Sequence, residues 1–212
     1  RAKVVTWSLF AADPSAPQRS PWQPGQKVRL GSLGRLHPVK GYDVLIRALA
    51  KIRDRTQPEL PHIETIVAGD GSDRTRLVEL AKSMRVTNIS FTGFCAEPRQ
   101  FLANLHLYVQ PSKSEGFCVA AHEAMQAGLP VIASNVGELA HSVVVNETGV
   151  LVPPVDPDAL AAAIESCVST PGQMRRMGDA SRARMFTRFS QAEFCRKASE
   201  IVERLEQLSR AR

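Results

Sequence analysis

The sequence predicts an α/β protein, a doubly wound parallel sheet of about six strands with helices on both faces. Short β-like apolar runs alternate with longer helical runs along most of the chain. The helical runs are long enough to carry the chain back for right-handed crossovers between parallel strands. With 212 residues, 43% of them hydrophobic, the chain can bury a real core and suits one α/β domain with appendages. This is a Rossmann-like arrangement.

Residues 11–27, AADPSAPQRSPWQPGQK, hold four prolines and a glycine and no periodic pattern, so residues 1–27 are read as a linker or an extended N-terminal segment. The compact domain is expected over residues 28–189. It opens with the strand VRLGSLG and the helix GYDVLIRALAKIRDR, in which Val44, Leu45, Ala48, Leu49 and Ile52 share one face. Then come the strand IETIVAG, the helix SDRTRLVELAKSM, the strand NISFTG, the short helix EPRQFLANL and the strand HLYVQ. A helix expected to begin near Phe117 leads to the strand PVIAS, the run TGVLV and the helix DPDALAAAIESCV. Residues 190–212 form a last helix whose apolar stripe, Phe194, Ala198, Ile201, Leu205 and Leu208, must dock on its own domain or on another one.

Lys and Arg number 27 against 21 Asp and Glu, a net charge of +6 that admits phosphorylated ligands or peripheral contact with an anionic membrane. Nucleic acid is disfavoured, because the aromatics make up only 6% and do not interleave with the basic residues. No run of about 18 apolar residues is present to span a membrane. Cys95, Cys118, Cys167 and Cys195 are scattered without a C-x-x-C pair, which suits a reducing, cytoplasmic compartment and suggests neither zinc nor disulfides. The Asn88 and Asn146 glycosylation patterns are read as chance. Asp156-Pro157-Asp158 imitates a D-x-D metal motif but reads as a helix N-cap with proline at the first helical position, so no metal site is expected.

In such sheets ligands bind beyond the carboxyl ends of the strands. The loop GRLHPVKG places Gly34, Arg35 and Lys40 there, and a guanidinium with a nearby ammonium offsets about the two charges of a diphosphate. The segment PSKSEGF follows HLYVQ and leads into a helix, where the amides of Phe117, Cys118 and Val119 would face an anion. Glu115 and Glu123 flank that helix start. Carboxylates repel phosphate but accept hydrogen bonds from neighbouring hydroxyls, so each is expected to hold a sugar beside the diphosphate of a nucleoside diphosphate sugar.

The motifs GRLHPVKG, VAGDGSDRTRL, ISFTGF, EGFCVAAHE with AMQAGLPVIAS, and ETGVLVPPVDPDAL stand in the order of a known family. From about Val28 to Leu208 the chain resembles the C-terminal, donor-binding domain of retaining glycosyltransferases of the GT-B fold, in the large family 4. The resemblance implies a hexosyltransferase that takes a sugar from a UDP-, GDP- or ADP-sugar, with retention and without a cofactor or metal. It implies diphosphate contacts from Arg35 and Lys40, donor-sugar contact from Glu115, ribose contact from Glu123, amides from Gly116 to Val119, and base contacts near Gly93 and Phe94. It also implies an N-terminal acceptor-binding domain outside this chain, which begins at Arg1 and reads as a fragment that binds donor but transfers poorly.

Two motifs depart from the family. Cys118 replaces the last glycine of EGFG, and VGELAH replaces VGGIPE, so that Glu138 and His141 stand for a glycine and a glutamate. No histidine is given a catalytic role, and His122 is expected to pack or cap locally. The alternatives are a non-catalytic nucleotide-sugar or polyanion binding module, and a glycosidase, which the eight-residue spacing beside Arg and Lys disfavours.

Overall fold

The computed structural model describes residues 12–23, 25–55 and 60–210; the remainder of the expected N-terminal segment, residues 1–11 and Pro24, lies outside the described residues. Six strands, β1 Val28–Leu33, β2 Ile63–Ala68, β3 Ile89–Gly93, β4 Leu107–Gln110, β5 Val131–Ser134 and β6 Gly149–Val152, form one sheet. Every pairing is parallel and the order is β3-β2-β1-β4-β5-β6. Successive strands therefore run outward from β1 in one direction and from β4 in the other. The reversal lies between β1 and β4, where Leu30 faces Leu107 and Gly31 faces Tyr108. At such a switch point ligands bind in the crevice outside the carboxyl ends of the strands.

The sheet is buried from both sides. Helices α1 Tyr42–Asp54, α2 Arg74–Ser83 and α6 Pro157–Ser169 close one side through Leu45, Leu49, Leu77 and Ile164. The other side is closed through Ala121 and Met125 of α4 Val119–Gln126 and Met185 of α7 Pro171–Arg188, with α3 Pro98–Ala103 and α5 Leu139–Ser142 beside them. The expected stripe of α1 is buried at Val44, Leu45, Ala48 and Leu49, and Ile52 packs on the core's margin. All residues of β4 and β5 are buried, as central strands of a two-faced sheet require. Asp156 caps α6, its Oδ1 accepting the Asp158 and Ala159 amides at 3.0 and 2.9 Å, so the D-x-D sequence serves a helix end.

Residues ahead of β1 lie along the domain. The Ala12 amide donates to the Phe189 carbonyl at 2.7 Å, the Arg19 amide donates to the Ala127 carbonyl at 2.8 Å, and the buried Arg19 guanidinium donates to the Gly128 carbonyl. The last helix, α8 Gln191–Arg210, buries none of the residues of its apolar stripe, and Leu205 and Leu208 are each 60% exposed.

One boundary differs from expectation. The helix after PSKSEGF begins at Val119 and not near Phe117, because Cys118 at its N-cap adopts φ 60 and ψ 67, a left-handed conformation that cannot continue a right-handed helix. The amides that open the helix are accordingly those of Val119 and Ala120, and Phe117 belongs to the turn.

Candidate active site

Two loops meet at the switch point. After β1 the chain makes a 3-10 turn, Pro38–Lys40, whose start is held by His37: its Nδ1 accepts the Val39 amide at 3.3 Å. Gly41 then turns left-handed, φ 67, and a Cβ there would overlap the carbonyl oxygen of Pro111. Only glycine allows this approach. The Lys113 amide donates to the Val39 carbonyl at 2.8 Å and the Lys113 ammonium pairs with Asp43 at 3.1 Å, so the loop after β1 is fastened along the loop after β4.

That fastening brings Lys40 onto Glu115. Lys40 Nζ lies 2.7 Å from Glu115 Oε1, and the Glu115 side chain is only 7% exposed. Two predicted site residues 75 positions apart thus form one half-buried ion pair. The same oxygen accepts Ser112 Oγ at 2.6 Å and Gln110 Nε2 at 3.1 Å. Sequence reasoning missed both of these residues. A signal was present, since Ser112 stands three residues before Glu115 and Gln110 is a polar terminus on an otherwise apolar strand.

Arg35 projects from the same loop, exposed, with no hydrogen bond or ion pair among the described residues. Gly34 lies beneath it, where a Cβ would meet Tyr42 Oη at 3.0 Å and Lys40 Cε at 3.9 Å. The Tyr42 hydroxyl is buried beside Ser32, and burial pushes its pKa up to about 12. The GDGSDR loop has a supporting role: Gly69 packs on the Gly34 carbonyl and the Asp73 amide donates to the Leu36 carbonyl at 3.0 Å.

At the turn, Gly116 is open; nothing lies within 4 Å of where a Cβ would stand. Phe117 stacks on His122, ring centroids 4.1 Å apart and 12° from parallel, and its edge meets Phe189. The Cys118 thiol is pushed up to about 12 by burial first and by the Glu115 charge second, so it is a neutral filler beside the carboxylate. Val119 is half exposed at the helix mouth, where backbone N–H groups lack intrahelical acceptors.

The turn is held from behind. Buried His122 donates from Nδ1 to the Cys118 carbonyl at 3.0 Å, and its Nε2 lies 2.8 Å from Ser142 Oγ. Burial lowers the His122 pKa, which favours the neutral ring, as expected of a histidine that packs and caps locally. In the departing VGELAH segment, Gly137 has φ 54 and a Cβ would overlap the Glu115 carbonyl, while the Glu138 amide donates to the Gly116 carbonyl at 2.9 Å. Glu138 also lies 3.3 Å from Ser142 Oγ, so its carboxylate faces the support and not an open pocket.

The other predicted residues lie apart from this pair. Glu123, in α4, is half-buried and its side chain has no hydrogen bond or ion pair among the described residues; burial raises its pKa, and the Arg99 guanidinium lowers it in part. Arg99 itself pairs with Asp13 at 2.8 Å. Gly93 ends β3 with φ 80 and open space around it, and the Phe94 ring is 85% exposed. No hydrogen bond among the described residues links Glu123, Gly93 or Phe94 to Lys40 or Glu115.

Residues 16–184 match the family described as glycosyl transferases group 1. The chain is 35% identical over 161 residues to a glycogen synthase of Mycobacterium tuberculosis, an alignment spanning 74% of this chain and 38% of that protein. It superposes on sucrose-phosphate synthase from Thermosynechococcus elongatus with TM-score 0.74 and 30% identity, covering 90% of this chain and 47% of that one. Against Alr3699/HepE of Anabaena, solved in complex with UDP and glucose, the TM-score is 0.72 and the identity 26%, covering 85% and 48% of the two chains. The chain spans less than half the length of each of these relatives.

Proposed function

Because this chain belongs to the group 1 glycosyl transferases, with the parallel sheet of a GT-B domain, we propose that it is the donor-binding part of a retaining, metal-independent hexosyltransferase using a nucleoside diphosphate sugar. The observation that carries this reading is the meeting of Lys40 and Glu115 beside the mouth of α4, at the switch point of the sheet.

In this reading the diphosphate lies between Lys40, Arg35 and the amides of the Gly116 to Val119 turn. Lys40 has three N–H donors and spends one on Glu115, leaving others for phosphate oxygens. These fixed cations and amides would stabilise the charge that grows on the departing diphosphate, which is how preorganised electrostatics lowers a barrier. Glu115 would hold the transferred sugar and Glu123 the ribose, with Phe94 and Gly93 beside the base. Binding of UDP and glucose by the Anabaena protein supports a nucleotide-sugar ligand here.

The acceptor would be a glycan, a lipid-linked sugar or a small molecule, bound on a second domain. The proposed division is residues 1–27 as interdomain segment, 28–189 as donor domain and 190–212 as a helix docking on this domain or the other, with donor binding but poor transfer by this chain alone. No helix among the described residues is long and apolar enough to cross a membrane. The net charge of +6 would suit peripheral contact with an anionic, cytoplasmic membrane face.

The test is a calorimetric titration with UDP, GDP and ADP and their glucose esters. One base should be preferred, and Glu123→Ala should weaken that nucleotide by about 1.5 to 3 kcal/mol through lost charge-assisted hydrogen bonds. Equal binding of all three bases and of inorganic pyrophosphate would instead identify a polyanion binder, and unchanged affinity of the variant would remove the ribose assignment.

A further inference from the structure

We infer that Gln110 and Ser112 are positioning residues that fix Glu115 in one rotamer and turn its second oxygen toward the transferred sugar. This rests on the donor-binding role proposed above and adds to it the means by which the sugar end of the ligand is recognised.

Glu115 sits in a turn after β4, where a glutamate would ordinarily sample several rotamers. Here three donors converge on one oxygen, Oε1: Ser112 Oγ at 2.6 Å, Lys40 Nζ at 2.7 Å and Gln110 Nε2 at 3.1 Å. No nitrogen or oxygen of the described residues donates to Oε2. A carboxylate so divided is anchored through one oxygen, and apart from the Cys118 thiol, a weak donor that hydrogen-bonds this carboxylate, no donor among the described residues engages the other.

The Tyr108 hydroxyl, fully buried in β4, has two acceptors, Gln110 Oε1 at 2.8 Å and the Leu33 carbonyl at 3.2 Å, the shorter to the glutamine, and the Leu33 amide lies 3.3 Å from the same hydroxyl oxygen. The Glu115 carboxylate sets the orientation of the Gln110 amide, because only Nε2 can donate to it at 3.1 Å, and the same Nε2 faces Ser112 Oγ at 2.8 Å. Ser112 accepts from Gln110 and passes its own proton to Glu115. A flipped Gln110 would place its carbonyl oxygen 3.1 Å from the Glu115 carboxylate, acceptor against acceptor. Gln110 and Ser112 are each 0% exposed, so no water competes for these bonds from their side.

The chain therefore runs from the β1–β4 junction to the carboxylate with each link satisfied, and a fully satisfied buried network is rigid. Holding the glutamate in advance removes rotamer entropy that sugar binding would otherwise have to supply. A role in sugar recognition, as opposed to a purely structural one, predicts a selective effect. The nucleotide end of the ligand touches neither Gln110 nor Ser112 in this reading, and Lys40 keeps its own bond to Glu115 when either is changed, so loss of these two links should spare it.

The experiment uses this chain with whichever of UDP-, GDP- or ADP-glucose binds most tightly, and with the corresponding free diphosphate. Gln110→Met keeps the length and burial of the side chain without its amide, and Ser112→Ala removes the other link. Each variant should bind the nucleotide sugar at least fivefold more weakly while its affinity for the free diphosphate stays within twofold. Should Gln110→Met not fold, judged by its thermal transition, Ser112→Ala alone decides. Parallel losses for both ligands, or no loss for either, would overturn the positioning role while leaving the nucleotide-binding reading standing. A wild-type chain that binds none of the nucleotides would overturn both.

Discussion

Gly137 offers the sharpest test of how the site is built, because it couples stability to ligand binding through one contact. Its backbone is left-handed, φ 54, and a Cβ would overlap the carbonyl oxygen of Glu115 and crowd that of Gly116 at 2.7 Å. In Gly137→Ala the left-handed conformation alone costs about 1 to 2 kcal/mol. Relieving the overlap requires the 115–116 backbone to retreat, which breaks the hydrogen bond from the Glu138 amide to the Gly116 carbonyl, worth about 1 kcal/mol. The sum is about 2 to 3 kcal/mol, or roughly 4 to 12 °C in Tm for a chain of this size. Nucleotide affinity should fall with it, since the displaced atoms are those proposed to receive the diphosphate. Gly116→Ala is the control: nothing lies within 4 Å of its added methyl, so stability should hold or rise slightly, but the methyl stands in the proposed phosphate position and should cost about tenfold in affinity. Thermal denaturation and calorimetric titration of both variants decide the matter. A Gly137→Ala protein that melts with the wild type and binds nucleotide equally well would refute the coupling.

Two further outcomes follow from the same structure. At Cys118, φ 60, glycine should be more stable than alanine by about 1 kcal/mol, since both lack the thiol and only alanine retains a Cβ that opposes the left-handed backbone; chemical denaturation of Cys118→Gly and Cys118→Ala measures this, and equal midpoints would contradict it. His106 is buried, with Nδ1 accepting the Arg29 amide at 3.0 Å, and burial followed by the Arg29 charge lowers its pKa from 6.5 to about 4. The folded value lies below the unfolded one, so its stabilising contribution is complete above pH 6.5 and is lost as pH falls toward 4, by about 3 kcal/mol at most. Denaturation midpoints across that window should flatten in His106→Asn relative to wild type, and identical pH profiles would exclude His106 as the cause.

Much of this protein was legible along the chain because the signals are local. Apolar residues at helical spacing marked α1, proline after Asp156 marked the start of α6, and glycine-bearing loops with Arg35, Lys40 and Glu115 marked the ends of strands that ligands favour. The start of α4 was misplaced by two residues because the left-handed Cys118 is imposed by the loops around it, and cysteine carries no propensity that announces it. Gln110 was overlooked for a similar reason: at the end of a strand its amide could as well have faced solvent.

The sequence by itself determined the six strands and most of the helices between them, their parallel class and the kinds of side chain available at strand ends, since periodicity, caps and turns depend on neighbours within a few residues; the helices Leu139–Ser142 and Pro171–Arg188 came only with the structure. Only the tertiary structure decided that β4 lies beside β1, and with it that Lys40 and Glu115, 75 residues apart, become one ion pair whose carboxylate is also held by Ser112 and Gln110 through the same oxygen. Strand order and burial select hydrogen-bond partners in three dimensions, and no short-range pattern along the chain encodes that selection.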